Sequence, residues 1–215
     1  MNKKICCIFG AGDFSSEHTI PDKAFVIAAD GGLAHLEKLN ITPDVILGDF
    51  DSYDMLNTNQ NIVVFPKEKD YTDMFLAVKH AYELGYKDIY IYGGLGGSRF
   101  DHTFANIQLL EYFSKLGCKI ILFGFNETIT AISAFDNNSA HISINKSLTG
   151  YISLFALGGN VTGLNISGLK YELKDGMITT DFPLCTSNEF CNKEVNISIS
   201  NGTLLIIINQ KLTNL

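Results

Sequence analysis

The chain has 215 residues, 46% of them hydrophobic and 18% charged, long enough to bury a core and too apolar to stay disordered. A net charge of -7 without any Lys/Arg cluster excludes a nucleic-acid partner, which needs a basic patch, yet leaves small phosphorylated substrates open through a metal ion. No apolar run approaches the roughly 20 residues of a membrane helix, and the charged opening passes through a short apolar run to Gly10-Ala11-Gly12-Asp13, too soon polar for a signal peptide.

A cytoplasmic protein without membrane attachment is therefore expected. The five cysteines form no CxxC pair or zinc-like set. Cys6, Cys7 and Cys118 lie in apolar runs, where a thiol serves as a small hydrophobe.

In chain order, residues 4–9, 24–29, 45–47, 62–65, 89–92 and 119–123 read as strands buried on both faces. Residues 32–39, 72–84 and 102–116 between them read as helices. Met74, Ala77, Val78, Ala81 and Leu84 recur at spacings of three and four and form a core-facing stripe. This alternation predicts an α/β domain over 1–125, a mostly parallel sheet with helices on both faces.

From about Asn126 the period becomes two. Ala140, Ile142 and Ile144 alternate with polar residues, as do Val195, Ile197 and Ile199. Asp175-Gly176 and Asn201-Gly202 read as hairpin turns. Residues 126–215 are expected to form an antiparallel β-sandwich domain.

Polar motifs collect where the parallel strands end, which is where open sheets bind ligands. They are Ala28-Ala29-Asp30-Gly31-Gly32, Gly48-Asp49-Phe50-Asp51-Ser52, Lys69-Asp70-Tyr71-Thr72-Asp73, and Gly93-Gly94-Leu95-Gly96-Gly97-Ser98-Arg99-Phe100-Asp101-His102. Each has a bland reading: Asp-x-Asp as a solvated turn, Asp70, Thr72 or Asp101 as helix caps, the glycines as tight turns, His102 as a surface residue.

Together they imply more. Asp30, Asp49, Asp51, Asp70, Asp73 and Asp101 converge on one sheet edge, and carboxylates that close repel unless a cation lies among them. Carboxylate ligation without a His or Cys cluster suits Mg²⁺, which takes its remaining ligands from water and substrate phosphates. The glycine loop offers N–H groups to phosphates, and Arg99 can grip them bidentately. The composition is that of a phosphoryl-transfer site using ATP. It does not name the acceptor. Gly10-Ala11-Gly12 alone would suggest a dinucleotide-dependent oxidoreductase. That fingerprint needs a third glycine opening a helix, and positions 13 to 17 read Asp-Phe-Ser-Ser-Glu.

The four motifs in this order, followed by Gly168-Leu169-Lys170-Tyr171-Glu172-Leu173 and Thr186-Ser187-Asn188-Glu189-Phe190, closely resemble the thiamine pyrophosphokinase family. The resemblance implies an ATP-binding α/β domain, a β-sandwich that helps bind thiamine, and a homodimer with active sites near the interface. The implied reaction transfers a pyrophosphoryl group from ATP to the thiamine hydroxyl, giving thiamine diphosphate and AMP.

By the same carry-over, Asp49, Asp51 and Asp73 would be magnesium ligands, and with Arg99 and Asp101 the catalytic set. Asp30, Gly31, Asp70, Gly94, Gly96, Arg99 and His102 would bind ATP and its phosphates. Asp101, Ser187, Asn188 and Tyr171 would meet thiamine. The chain departs from the pattern in having Glu172 where the family has proline, and no tryptophan, so Tyr171 or a phenylalanine would stack on the ring. The alternatives are a pyrophosphokinase for another alcohol, such as a pterin, and a regulator that binds nucleotide or thiamine without catalysis.

Overall fold

Strands covered on both faces are apolar at successive positions instead of alternating. β1 (Ile5–Phe9), β2 (Phe25–Ala29) and β3 (Val45–Gly48) show that pattern in the computed structural model, which describes residues 4–15, 18–48, 61–64 and 70–210. β4 (Asn61–Val64), β5 (Asp88–Tyr92) and β6 (Lys119–Phe123) complete the first sheet, in the order β4-β3-β2-β1-β5-β6. The pairings from β4 through β5 are all parallel. Position 65 of the fourth expected strand lies outside the described residues.

Register places Cys7 beside Val26 and Tyr90, and Ile8 beside Ile27 and Ile91. Successive residues face opposite sides of a strand, so these two rows belong to two faces, all buried but for a half-buried Tyr90. On the first face, α1 (Leu33–Leu39) buries Leu33 and Leu36 in a cluster with Cys7, Phe9, Val26, Ala28, Ile46 and Tyr92. Helix α2 (Asp73–Glu83) packs on β1, β2 and β3 and buries Met74, Ala77, Val78 and Ala81 as its spacing predicts. Leu84, the last residue of the expected stripe, instead sits past the helix end as its C-cap and is exposed. Burial pushes the Cys7 thiol up to about 12 and Cys6 higher still, so both act as apolar packing atoms. All five cysteines are free.

The helix α3 (Phe100–Lys115) begins two residues before the expected start. Asp101 therefore lies inside its first turn and is not the cap before it.

Two compact units divide the chain: Met1–Leu109 with Ile120–Phe125, and Leu110–Lys119 with Asn126–Leu215. The second is antiparallel. It comprises β7 (Glu127–Ala134), β8 (Ala140–Ile144), β9 (Gly150–Ser167), β10 (Leu173–Ile178), β11 (Cys185–Glu189), β12 (Val195–Ile199) and β13 (Asn201–Gln210). The 18-residue β9 is its spine: the first half pairs with β13 and β11, the second with β10 and β12. Ile152, Leu154, Val161, Leu164, Val195, Ile197, Ile199, Leu204 and Ile206 supply much of the sandwich core. The outward residues Asn196 and Ser198 keep the expected period of two.

The two expected hairpin turns are not turns. Asp175 and Gly176 lie within β10, where the register with β9 shifts and Asp175 has φ +50°. Asn201 and Gly202 open β13, again at a shift against β9, with Gly202 at φ +99°. The positive φ that these dipeptides favour is used for β-bulges. No helix among the described residues is long and apolar enough to cross a membrane.

Candidate active site

The strand order reverses between β1 and β5, the point at which open parallel sheets bind ligands beyond the carboxyl ends of their strands. A cleft of about 230 Å³ opens there. Gly10, Ala11 and Gly12 line it after β1, Ala29 and Asp30 after β2, and Asp73 from the first turn of α2. The loop after β5 adds Gly93, Gly94, Gly96, Gly97, Ser98 and Arg99, and α3 adds His102, Thr103 and Asn106.

The loops after β1 and β5 are joined main chain to main chain. Gly10 N donates to Tyr92 O, Gly12 N to Gly93 O, and Asp13 N to Leu95 O, each at 2.8 Å. This closeness leaves no room for side chains: a Cβ at Gly12 would stand 2.5 Å from Leu95 O, and one at Gly93 2.3 Å from Gly10 O. Three side chains brace the walls. The His35 ring Nε2 lies 2.9 Å from Gly12 O, buried Asn106 donates from Nδ2 to Gly94 O at 2.7 Å, and Thr103 donates to Gly96 O at 3.3 Å.

Asp30 reaches the cleft from a single 3₁₀ turn over Asp30–Gly32, with its own φ at +50°, a conformation costly for a residue with a Cβ. The turn packs hard on β1: a Cβ at Gly32 would lie 1.9 Å from Phe9 O. Asp73 opens α2, and Thr72 caps that helix by accepting from Phe75 N at 3.2 Å. The bland capping reading thus holds for Thr72, while the neighbouring Asp73 lines the cleft.

Asp30, Asp73, Gly94, Gly96, Arg99 and His102 are brought together on one cleft. Gly31, Asp70 and Asp101 are exposed and do not line it. Asp49 and Asp51 lie outside the described residues. Asp101 instead accepts two hydrogen bonds from Arg99, Nη2 to Oδ2 at 2.5 Å and Nε to Oδ1 at 3.3 Å. That bonding holds its carboxyl below the usual range and raises the guanidinium, so the pair stays ionised around neutrality. Among the described residues no three His, Cys, Asp or Glu side chains group as a metal cluster. What the cleft does present is carboxylate oxygen from Asp30 and Asp73, the donor chemistry of a hard divalent cation.

In the second unit Tyr171, Ser187 and Asn188 adjoin. Asn188 is buried, and its Oδ1 accepts from Tyr171 N at 3.0 Å and Glu189 N at 2.9 Å, while Nδ2 donates to Tyr171 O at 2.7 Å. Ser187 is exposed at φ +59°, with its N–H donated to Ser153 Oγ at 3.0 Å. The Tyr171 ring is exposed, and Glu189 holds the Lys170 ammonium at 2.5 Å.

Two family models match the chain in sequence order. Residues 16–122 match the catalytic domain of thiamin pyrophosphokinase, and residues 139–204 match its vitamin B1 binding domain. The thiamine pyrophosphokinase of Bacillus subtilis (strain 168) is 32% identical over 200 residues, spanning 90% of this chain and 89% of that protein. The chain belongs to the thiamine pyrophosphokinase family. A crystal structure of the Bacillus subtilis thiamine pyrophosphokinase superposes with a TM-score of 0.85 at 29% identity, over 98% of this chain and all of that one. The Geobacillus thermodenitrificans thiamin pyrophosphokinase gives 0.83 at 25% identity, over 98% of this chain and 100% of that one.

Thr103 and Asn106 escaped the sequence reading, and Gly10, Ala11, Gly12 and Ser98 were visible there without being assigned to the site. Gly10-Ala11-Gly12 carried a usable signal, a glycine pair directly after a strand, which is set aside when tested only as a dinucleotide fingerprint. Asn106 carried none: one polar residue in a helix gives no sign that it faces a loop carbonyl.

Proposed function

We propose that this protein is a thiamine pyrophosphokinase that moves the pyrophosphoryl group of ATP to the hydroxyl of thiamine. The oxygen of that hydroxyl bonds to the β-phosphorus, the bond from that phosphorus to the α,β-bridging oxygen breaks, and AMP leaves. The hydroxyl proton passes to solvent or a neighbouring base. The observation that carries the reading is the cleft at the strand-order reversal, where a glycine cradle, Arg99, His102 and two carboxylates face one space.

The glycines at 93, 94, 96 and 97 bring main chain close to the polyphosphate, and Arg99 and His102 offer side-chain donors to its oxygens. Arg99 is presented by its bonds to Asp101, whose carboxylate would in turn orient the thiamine hydroxyl. Asp30, Gly31 and Asp70 would serve the nucleotide. Asp73, with Asp49 and Asp51 after β3, would hold Mg²⁺, and the carboxylate character of the cleft fits it. When bound, that ion supplies neutralisation of the charge on the phosphates. The match of residues 139–204 to the vitamin B1 binding domain supports the second unit as the thiamine-binding part, where Ser187, Asn188 and Tyr171 would meet thiamine. A cytoplasmic homodimer is the working assembly, and sedimentation of the purified protein tests it.

Chromatography of a mixture of protein, ATP, Mg²⁺ and thiamine tests the reaction. Equal amounts of AMP and thiamine diphosphate are expected. ADP with thiamine monophosphate would make the chemistry ordinary phosphoryl transfer. ATP consumption indifferent to thiamine would remove thiamine as acceptor.

A further inference from the structure

A second concavity, of about 450 Å³, lies wholly within the second unit and shares no residue with the cleft. Its walls come from the end of α3 with the loop up to Lys119, from β7 and from β8. Its volume is that of pockets which take small molecules. Part of the wall is apolar. Ala131 is buried, and half-buried Ile132, Ala140 and Ile142 pack on the sandwich core while the groove takes their remaining surface.

The serine hydroxyls around it are already engaged. A serine or threonine side chain has one proton to donate. Ser114 gives its own to Glu111 O at 3.0 Å, so in the 2.6 Å contact between the two serines Ser133 is the donor. Thr203 must then donate to Ser133 at 2.9 Å, and Ser143 donates to Asn196 Oδ1 at 2.7 Å.

The lining side chains that bring N–H donors are Lys119 and His141, both exposed. Among the described residues no carboxylate lines the groove, and Lys119 is its one formal charge, in a chain whose net charge is -7. An apolar wall beside a cation, with no anion to balance it, is complementary to an apolar molecule that carries one negative group.

We propose that this groove is a binding site for a small apolar molecule with a single anionic group. The anion meets Lys119 and His141, and the apolar body lies against Ile132, Ala140 and Ile142. Thiamine does not suit it, because the thiazolium ring carries a permanent positive charge that Lys119 repels. The site goes beyond the pyrophosphoryl-transfer reading and does not depend on it.

Fluorescence titration of the full-length protein with anilinonaphthalene sulfonate, an apolar aromatic body with one sulfonate, tests the proposal. Saturable binding at a single site is expected, unchanged by saturating ATP, Mg²⁺ and thiamine. Lys119→Glu should weaken it about tenfold, and Lys119→Arg should retain it. Phenylnaphthylamine, the same rings without the sulfonate, should bind the unmutated protein about tenfold more weakly and respond little to Lys119→Glu.

Ala140→Phe fills the groove from the first residue of β8 and should abolish binding of both probes. If that variant does not fold, Lys119→Glu still decides the matter, since Lys119 is exposed at the start of β6. Displacement of the sulfonate by ATP or thiamine would place it in the cleft. Equal affinity in Lys119→Glu and the unmutated protein, or equal affinity for the two probes, would place it on another apolar surface. Each of these results overturns the proposal, as does the absence of saturable binding.

Discussion

Asn106 donates from its side-chain amide to the carbonyl of Gly94 at 2.7 Å, tying the second turn of α3 to the glycine loop after β5. Both residues are buried. Losing the donor strands a buried carbonyl, which costs about 1–3 kcal/mol. Asn106→Ala should therefore lower the denaturation midpoint and raise the KM for ATP, leaving the KM for thiamine near its original value. A variant with unaltered ATP kinetics would show that the glycine loop keeps its shape without this brace.

Gly12→Ala forces a Cβ to within 2.5 Å of Leu95 O and 2.8 Å of Gly93 O, both main-chain atoms in the cleft wall. The wall must shift, and kcat/KM for ATP should drop by at least tenfold. Gly117→Ala is the control: its φ of +77° makes the substitution strained by about 1–2 kcal/mol, but nothing stands near the new methyl. It should cost stability alone, and matching kinetic losses in the two variants would contradict the steric account.

Asp73 and Thr72 separate chemistry from helix capping. Thr72→Ala removes the acceptor for Phe75 N and should destabilise the protein by about 1 kcal/mol with kcat retained. Asp73→Asn keeps the shape of the side chain and removes a charge from the cleft. Turnover should fall at least a hundredfold, with partial recovery as Mg²⁺ is raised, if this carboxylate is a metal ligand. Full activity at low Mg²⁺ would remove Asp73 from the metal site.

The Arg99–Asp101 pair predicts a pH effect. Hydrogen bonding from Arg99 lowers the Asp101 carboxyl below its ordinary value, so the charged pair persists above the ordinary carboxylate range and is lost as pH falls through the lowered value. In Arg99→Ala that carboxyl rises toward its ordinary value, since the largest lowering cause is removed while His102 still lowers it. If Asp101 must be ionised to orient the thiamine hydroxyl, the acid limb of kcat/KM for thiamine moves to higher pH in the variant. An acid limb that stays put would assign it to another group.

Much of this molecule was legible in one dimension. Doubly buried strands announce themselves as short apolar runs, and the spacing of Met74, Ala77, Val78 and Ala81 is a property of neighbouring residues in the chain. The family's motifs are likewise contiguous, and local order is what a sequence displays directly. Long-range main-chain geometry is not displayed. Gly12 belongs to the cleft only because β1 pairs with β5, which brings its N–H to Gly93 O from far along the chain. Asp175-Gly176 makes a bulge, not a turn, because β9 runs alongside it out of register. Asn188 was visible as a polar residue in a recognisable motif, but the direction of its amide is set by the main chain of Tyr171 folding over it. Residue type and spacing thus determined the elements, the fold class and the family motifs, while the partner of each polar atom was decided only when distant segments closed to hydrogen-bonding distance.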